Sequence, residues 1–290
     1  MRNNMDRLGA KPAPETPNQP VAQPAPEQEP APLSFSTPTE FVDLPSKGLL
    51  YPEGHPLHNK DSVEIRYMTA KDEDILASRN LLKKGIAIDR LLQNVLVDKS
   101  IKIEDLLVGD KNAIVIATRV TGYGSNYATS VACPACATTS KYEFDLEEAH
   151  VVEGYREFIE QDDSVTMTDN GTFVITLPKL NVQVEVKLLT GTDENKYLAM
   201  SKKKKQHNLV DTTMTDQLRL FIVSVNGDTS RRTIGQLIDN MPASDSRYLR
   251  LAYGELMPNV DLTQDFTCEE CGHTQEMEVP LTANFFWPGR

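Results

Sequence analysis

Two stretches of matched sequence, Val131-Ala-Cys133-Pro-Ala-Cys136 and Phe266-Thr-Cys268-Glu-Glu-Cys271, contain all four cysteines of the chain. Beyond each pair, apolar residues recur at every second position: Tyr142, Phe144 and Leu146 follow the first pair, and Met277, Val279 and Leu281 follow the second. This alternation predicts a short strand leaving each CxxC turn. The two turns are therefore predicted to be the tips of matching hairpins, one in each half of the chain.

Four thiolates brought together suit a tetrahedral zinc ion. Redox-active pairs and metal-free reduced thiols are the open alternatives, and His273 is an alternative ligand. A redox CxxC usually opens a helix, whereas strand-like alternation follows both pairs here. With no secretory signal and every cysteine in a CxxC pair, metal is favoured over disulfides. We predict one structural zinc site, whose ligands leave no open position for catalysis. The predicted ligands are Cys133, Cys136, Cys268 and Cys271.

Length and charge limit the possible functions. The 290 residues suffice for one large domain or two small ones. The net charge of −12 argues against a general nucleic-acid binder, which needs a basic surface. The one basic run, Lys202 to Lys205, is interpreted as a helix end or, alternatively, as a contact for an acidic partner or nucleic acid. No apolar run reaches about 18 residues, so we expect no membrane span, and Met1 to Pro38 lacks the apolar core of a signal peptide.

Residues 1 to about 38 form a region rich in Pro, Ala and Gln. Nine of the eighteen prolines fall here. Such a composition cannot bury enough apolar surface to order itself, so the region is predicted to be disordered or polyproline-like. It is interpreted either as a linker or as an arm that lies on a neighbouring protein.

The rest of the chain carries signs of an internal repeat. Residues Val63 to Glu73 match Val184 to Glu194 without a gap, with five identities. Each segment reads as a strand followed by a threonine that begins a helix, Thr69 or Thr190, with an acid three residues on. Helices are predicted at about 70–80 and 191–207.

Further landmarks recur in the same order. Ile103 to Leu107 parallels Ile234 to Ile238, and a helix ending at Tyr123-Gly124 parallels one ending at Tyr253-Gly254, with glycine as the C-cap in both. We therefore predict an α+β fold: an internally duplicated strand–helix–hairpin unit, with a zinc-ribbon-like four-cysteine site joining the two halves and a disordered Pro-rich arm before them. The predicted regions are an arm at 1–38, repeat 1 at 39–146, a connector with a strand pair at 147–183, and repeat 2 at 184–290.

No catalytic spacing is present, since the sequence lacks GxSxG, P-loop, HExxH and GxGxxG motifs. We therefore predict that the protein is not an enzyme and takes no small-molecule substrate. The C-terminus is unusual because Phe285, Phe286 and Trp287 lie within the last six residues. Such a segment either folds back onto the zinc hairpin or contacts a partner, where aromatic anchors often dominate binding. These three residues are the predicted partner-binding residues.

Taken in order along the chain, these features resemble the T4-type bacteriophage baseplate hub and hub assembly protein family. The resemblance covers about residues 40 to 288. Its carrying features are Leu44-Pro-Ser-Lys-Gly48 with Tyr51, the strand with Thr69-x-x-Asp72-Glu73, the CPxC at Cys133, the CxxC at Cys268, and Phe285-Phe286-Trp287-Pro288.

The resemblance implies a structural or assembly role in a contractile-tailed phage, without catalysis. Expected partners are other phage baseplate and tail proteins. The expected location is the host cytoplasm during assembly and, for a hub component, the virion tail baseplate. The alternative is a zinc-ribbon protein that binds nucleic acid or assists transcription. Glu269, Glu270 and the nearby Asp265 oppose phosphate binding at the second knuckle, so nucleic acid is not the expected partner.

Overall fold

The structure is a computed structural model that describes residues 36–207, 212–281 and 285–287. The chain divides into two units at Ser36, and every helix and strand given below lies in the second, Thr37–Arg290. The predicted Pro-rich arm lies, up to residue 35, outside the described residues. None of the helices in the described part of the chain has the length and apolarity needed to span a bilayer.

Helices and strands are mixed along the chain, which confirms the predicted combination of the two. The strands are β1 (Thr39–Asp43), β2 (Ser62–Arg66), β3 (Asn126–Ala132), β4 (Thr139–Asp145), β5 (His150–Val152), β6 (Val165–Met167), β7 (Phe173–Thr176), β8 (Gln183–Val186), β9 (Ile222–Val225), β10 (Asn259–Asp261), β11 (Thr263–Thr267) and β12 (Thr274–Glu278). The α-helices are α1 (Ala70–Ala77), α2 (Arg79–Lys84), α3 (Ala87–Val95), α4 (Val108–Tyr123), α5 (Tyr155–Gln161), α6 (Gly191–Gln206), α7 (Thr213–Phe221), α8 (Arg231–Asn240) and α9 (Ala243–Leu256). Short 3-10 turns cover Ile103–Asp105 and Leu146–Glu148.

All the sheets in the described residues are small and antiparallel. The largest has the order β6-β7-β8-β9, and its central pair is the strand pair predicted for the connector. The other sheets are the two-stranded pairs β1-β2, β3-β4, β5-β10 and β11-β12. The β3-β4 and β11-β12 pairs are the hairpins predicted on either side of the CxxC turns.

The two predicted helix starts have the same local structure. Thr69 and Thr190 each form a capping box, with Asp72 and Asp193 as the third helical residue. In the first, Arg66 also donates two hydrogen bonds to Asp72, at 2.7 and 2.9 Å. In the second, Lys187 Nζ lies 2.6 Å from Asp193. The first predicted helix is shorter than expected, because the chain is extended at Ser78, between α1 and α2.

A fully buried aspartate lies at the third position of two long helices, α4 and α9. Asp110 accepts hydrogen bonds from the backbone and hydroxyl of Ser46, at 2.9 and 2.6 Å, and from the hydroxyl of Tyr51, at 2.7 Å. Asp245 accepts hydrogen bonds from the backbone N–H groups of Lys179 and Leu180, at 3.0 and 2.9 Å. Both carboxylates are fully buried. Each therefore fixes its long helix to the loop after a strand, β1 or β7.

One predicted landmark is wrong. Helix α4 does end at Tyr123, with Gly124 at φ 82°, but α9 continues through Gly254 to Leu256. Gly254 is tolerated inside the helix, and the fully buried Leu256 fixes the extra turn against the core. The feature that α4 and α9 share is instead the buried aspartate at the third position, Asp110 or Asp245.

The interior has two apolar clusters. The larger one lies under the sheets β1-β2 and β6-β9. The smaller one underlies the two CxxC hairpins and contains both Cys133 and Cys268. It draws residues from distant parts of the sequence, including Leu91, Phe144 and Phe266. This second core positions the cysteine site.

Candidate metal centre

Each pair of cysteines is presented by a six-residue hairpin tip with the same backbone hydrogen bonds. In the first tip, Cys133 N–H donates to Thr138 O at 2.9 Å and Ala137 N–H donates to Cys133 O at 2.8 Å. In the second tip, the corresponding donors are Cys268 and Gly272, both at 2.9 Å. Ala137 and Gly272 share a left-handed conformation, with φ of 57° and 70°. The two tips are therefore copies of one local structure, although their intervening residues differ.

The four sulfur atoms converge. Cys133 Sγ lies 3.7 Å from Cys271 Sγ, and Cys136 Sγ lies 3.8 Å from Cys268 Sγ. All four sulfurs lie within 4.8 Å of one another. A disulfide would require a separation of about 2.05 Å. Zn–S bonds of about 2.3 Å place the corners of a tetrahedron about 3.8 Å apart. The donor set and its spacing therefore fit a tetrahedral, thiolate-bound metal ion.

The acid–base properties of the cluster favour a cation. Hydrogen bonds from the side chain and backbone of Thr138 lower the pKa of the Cys136 thiol to about 6. The backbone N–H of His273 acts to lower the pKa of Cys271, but hydrogen bonds with the neighbouring thiols and the loss of some hydration raise it to about 12. Four thiols this close cannot all ionise together unless a positive charge lies between them. A divalent ion supplies that charge.

Burial divides the four cysteines into two pairs. Cys133 and Cys268 are buried, with only 2% of each residue exposed, whereas Cys136 and Cys271 lie at the surface. The alternative ligand His273 does not join the cluster formed by the four sulfurs. Its Nε2 lies 3.4 Å from Gln275 Oε1 instead. Each tip thus contributes one sulfur from the core side and one from the solvent side.

The hairpins also bond directly to each other. The Tyr142 hydroxyl donates to Asp265 O at 2.9 Å, and its ring packs edge-on against Phe266, with centroids 5.1 Å apart. Gln264 bonds to both the backbone N–H and the backbone carbonyl of Asp145, at 3.2 and 2.6 Å. These contacts bring the two tips together, so the site is shaped by packing as well as by the sulfurs.

The aromatic C-terminal residues lie beneath this site. Phe285 and Phe286 are 5% and 1% exposed and belong to the second core, and Trp287 packs partly buried against it. The fully buried Arg119 donates to Phe285 O at 2.8 Å and also to two carbonyls near the end of α4, those of Gly124 and Asn126. Burial lowers the pKa of Arg119. A contact of these aromatic residues with a partner stays a prediction, and Trp287 is the most accessible of the three.

The other sequence feature considered for binding, the run Lys202 to Lys205, lies in the last turns of α6, as expected for cations. Lys204 forms a short ion pair with Asp216, while Lys202, Lys203 and Lys205 are not paired among the described residues. One of the four lysines therefore stabilises the fold through an ion pair.

Comparison with known protein families assigns the chain to one of them. The profile of the family described as T4 bacteriophage base plate protein matches residues 39–287. The chain belongs to this family. The resemblance to T4-type baseplate proteins is thus confirmed, and membership supports a structural role in a phage baseplate. No curated protein and no solved structure matches the chain. The baseplate family match begins at the first residue of β1 and includes both CxxC hairpins, Phe285 and Phe286.

Sequence reasoning missed three buried charged residues: Asp110 and Asp245, which fix helices α4 and α9, and Arg119, which binds the C-terminal segment beneath the site. A signal for the two aspartates was present, because they are 135 residues apart, the same separation as Cys133 and Cys268. Aligning the halves on the cysteines therefore pairs the aspartates without a gap. Arg119 had no comparable signal, since the second half has Gly254 at the matching position.

Proposed function

We propose that this baseplate-family protein is a structural or assembly component of the phage baseplate hub, acting through protein–protein contacts and without catalysis. The observation that carries the proposal is that, in a chain of this family, all four cysteine sulfurs converge on one point. Together they can fill every position of a tetrahedral metal ion. A metal held by four protein ligands has no open position for water, so it acts structurally. Expected partners are other baseplate and tail proteins of the same phage.

We infer that the metal is a single zinc ion bound by Cys133, Cys136, Cys268 and Cys271. An all-thiolate set is typical of structural zinc, and the sulfur separations agree with Zn–S geometry. The ion would join two hairpins that are far apart in sequence. It would thereby hold the second core closed and keep the outer surfaces of the chain in one arrangement for its partners.

An internal duplication accounts for the recurring local structures. It is supported by the two capping boxes, the two buried aspartates and the two hairpin tips, which occur in the same order along the chain. Strand pairing supports it as well, because β2 lies between β1 and a bridge to Leu96, as β8 lies between β7 and β9.

The proposed regions are the arm at 1–38, the first unit at 39–146, a connector from 147, and the second unit through residue 290. Because β7 pairs with β8 as β1 pairs with β2, we move the start of the second unit from 184 to Phe173. The arm and Trp287 are proposed to contact neighbours. The location that follows is the host cytoplasm during assembly and the tail baseplate afterwards.

Co-expression tests this proposal directly. A tagged full-length chain would be expressed with the other baseplate proteins of its phage, and complexes would be isolated by size-exclusion chromatography. We expect wild-type chain to elute with at least one baseplate protein, while an equal amount of duplex DNA does not shift its elution. A chain that binds DNA and no baseplate protein would instead support the zinc-ribbon alternative.

A further inference from the structure

The outer edge of β1 carries no further strand within the part of the chain that the structure describes. Among residues 37–207, 212–281 and 285–287, the only strand that pairs with β1 is β2. Hydrogen bonds from Leu44 N–H to Asp61 O and from Tyr67 N–H to Pro38 O, at 2.8 and 2.9 Å, set the phase of this pairing.

In an antiparallel pair, hydrogen-bonded positions alternate along each strand. Glu40 and Val42 therefore bond to β2, and the backbone N–H and C=O groups of Thr39, Phe41 and Asp43 point away from it. All three residues are exposed, and the Phe41 side chain is 68% exposed. A row of unpaired backbone groups with an exposed aromatic ring is a template for a further strand.

The second sheet shows how the equivalent edge is filled. Phe41 pairs with Glu64 in the first sheet, and Val174 pairs with Glu185 in the second, in the same register. The outer edge of β7 is covered by β6, which is antiparallel and pairs Thr166 with Val174. Thr176 N–H, which corresponds to that of Asp43, donates to Ser164 O at 2.9 Å. The groups left open on β1 are thus those that β7 uses to bind β6.

The chain's own preceding residues do not suit the same hairpin. The turn from β6 to β7 has Gly171 at φ 73°, immediately before Thr172, and bonds Gly171 N–H to Thr168 O at 3.1 Å. The corresponding position before β1 is Pro38. Proline has no N–H and its ring fixes φ near −65°, so this turn cannot form there.

We propose that the outer edge of β1 binds an extended strand of another baseplate protein, added antiparallel, in the mode known as β-augmentation. Glu40 and Asp43 lie on β1, and Glu64 lies beside Phe41 on β2; none of the three has an ion pair among the described residues. The partner strand therefore carries an apolar residue for Phe41 and basic residues beside it. A second copy of this chain is disfavoured, because it would bring the three carboxylates of each copy together.

This inference deepens the proposed assembly role and rests on it. Its test is a proline scan of outward-facing positions in the full-length chain. Phe41→Pro and Asp43→Pro each remove one outward N–H and no bond to β2, and proline is tolerated at such edge positions. Asp43→Pro keeps the aromatic ring but also removes a carboxylate. Asp43→Asn removes only the charge and keeps the N–H, so the difference in affinity between the two variants isolates the backbone contribution. The matched control is Val174→Pro, which removes the equivalent N–H where β6 already occupies the edge.

The measurement is the affinity of purified chain for the baseplate protein that co-elutes with it. We expect Phe41→Pro and Asp43→Pro to melt as wild type and to bind that protein at least about tenfold more weakly, as expected for lost ladder hydrogen bonds and an anchor. Val174→Pro should lower the melting temperature. Unchanged affinity of both edge variants would overturn the inference while leaving the assembly role in place. Dimerisation of the chain alone through this edge would overturn the choice of partner, and a wild-type chain that binds no baseplate protein would overturn both proposals.

Discussion

Replacing Cys268 with serine removes one of the two core-side sulfurs of the proposed zinc site. Serine is a poor ligand in a thiolate set, and its hydroxyl would be left in an apolar core that includes Phe266 and Phe286. If the substitution weakens zinc binding about a thousandfold, mass action removes about 4 kcal/mol of stability at saturating zinc. For a folded region of this size, each kcal/mol corresponds to about 2–4 °C, so the expected fall in melting temperature is about 8–16 °C.

The assay combines elemental analysis with thermal melts. Wild-type protein purified without chelator should contain one zinc per chain and should melt at lower temperature after chelation. Cys268→Ser should contain little zinc, and chelator should not shift its melt further. The control is Glu269→Ser in the same hairpin tip, an exposed position where the change should stay within about 0.5 kcal/mol. A Cys268→Ser chain that keeps both its zinc and its melting temperature would refute this account of the site.

Three other changes test the remaining structure. Asp245→Asn should destabilise the chain by about 1–3 kcal/mol in urea unfolding, because an amide replaces a buried carboxylate that accepts hydrogen bonds from two backbone N–H groups. The control is Asp239→Asn at an exposed position, and equal stability of the two variants would contradict the helix-fixing role. Phe286→Ala should cost about 3–5 kcal/mol, as for other buried aromatic residues, and a loss below about 1 kcal/mol would show that the C-terminal segment is not part of the core. Burial alone would raise the pKa of Asp72, but hydrogen bonds from Arg66, Thr69 and Asn94 lower it to about 2 from 3.8, so its contribution to stability is present above pH 3.8 and is lost as pH falls toward 2. The stability difference between wild type and Asp72→Asn should therefore be largest near neutral pH and shrink between pH 4 and 2; a constant difference would argue against the charged bonds.

Local features of the fold were predictable because local chemistry determines them. The threonine-plus-acid pattern at Thr69 and Thr190 predicts a capping box wherever a helix follows, and both boxes form. Alternation around Cys133 and Cys268 likewise predicts strands, because apolar residues at every second position place one face of a strand against a core. The convergence of the two tips required one further assumption, that four thiols share one site, and the sulfur distances agree with it.

Features fixed by tertiary packing were not predictable. Gly254 looked like a helix end, but Leu256 fits into the core one turn later, and packing outweighs the modest cost of an internal glycine. The buried Arg119 is held by three backbone carbonyls, two just after α4 and one in the C-terminal segment, and a carbonyl leaves no trace in a sequence. The strand β6 was missed because three residues are too few for a periodic pattern to be recognised.

We propose that the chain works by contact within the baseplate. The most direct test of this role is quantitative mass spectrometry of baseplates and baseplate intermediates isolated from infected cells, with purified virions measured alongside. We predict that the chain sediments with baseplate proteins in a fixed ratio, in intermediates, in virions or in both. Recovery of the chain only as free protein or with nucleic acid, and never with baseplate proteins, would contradict the account.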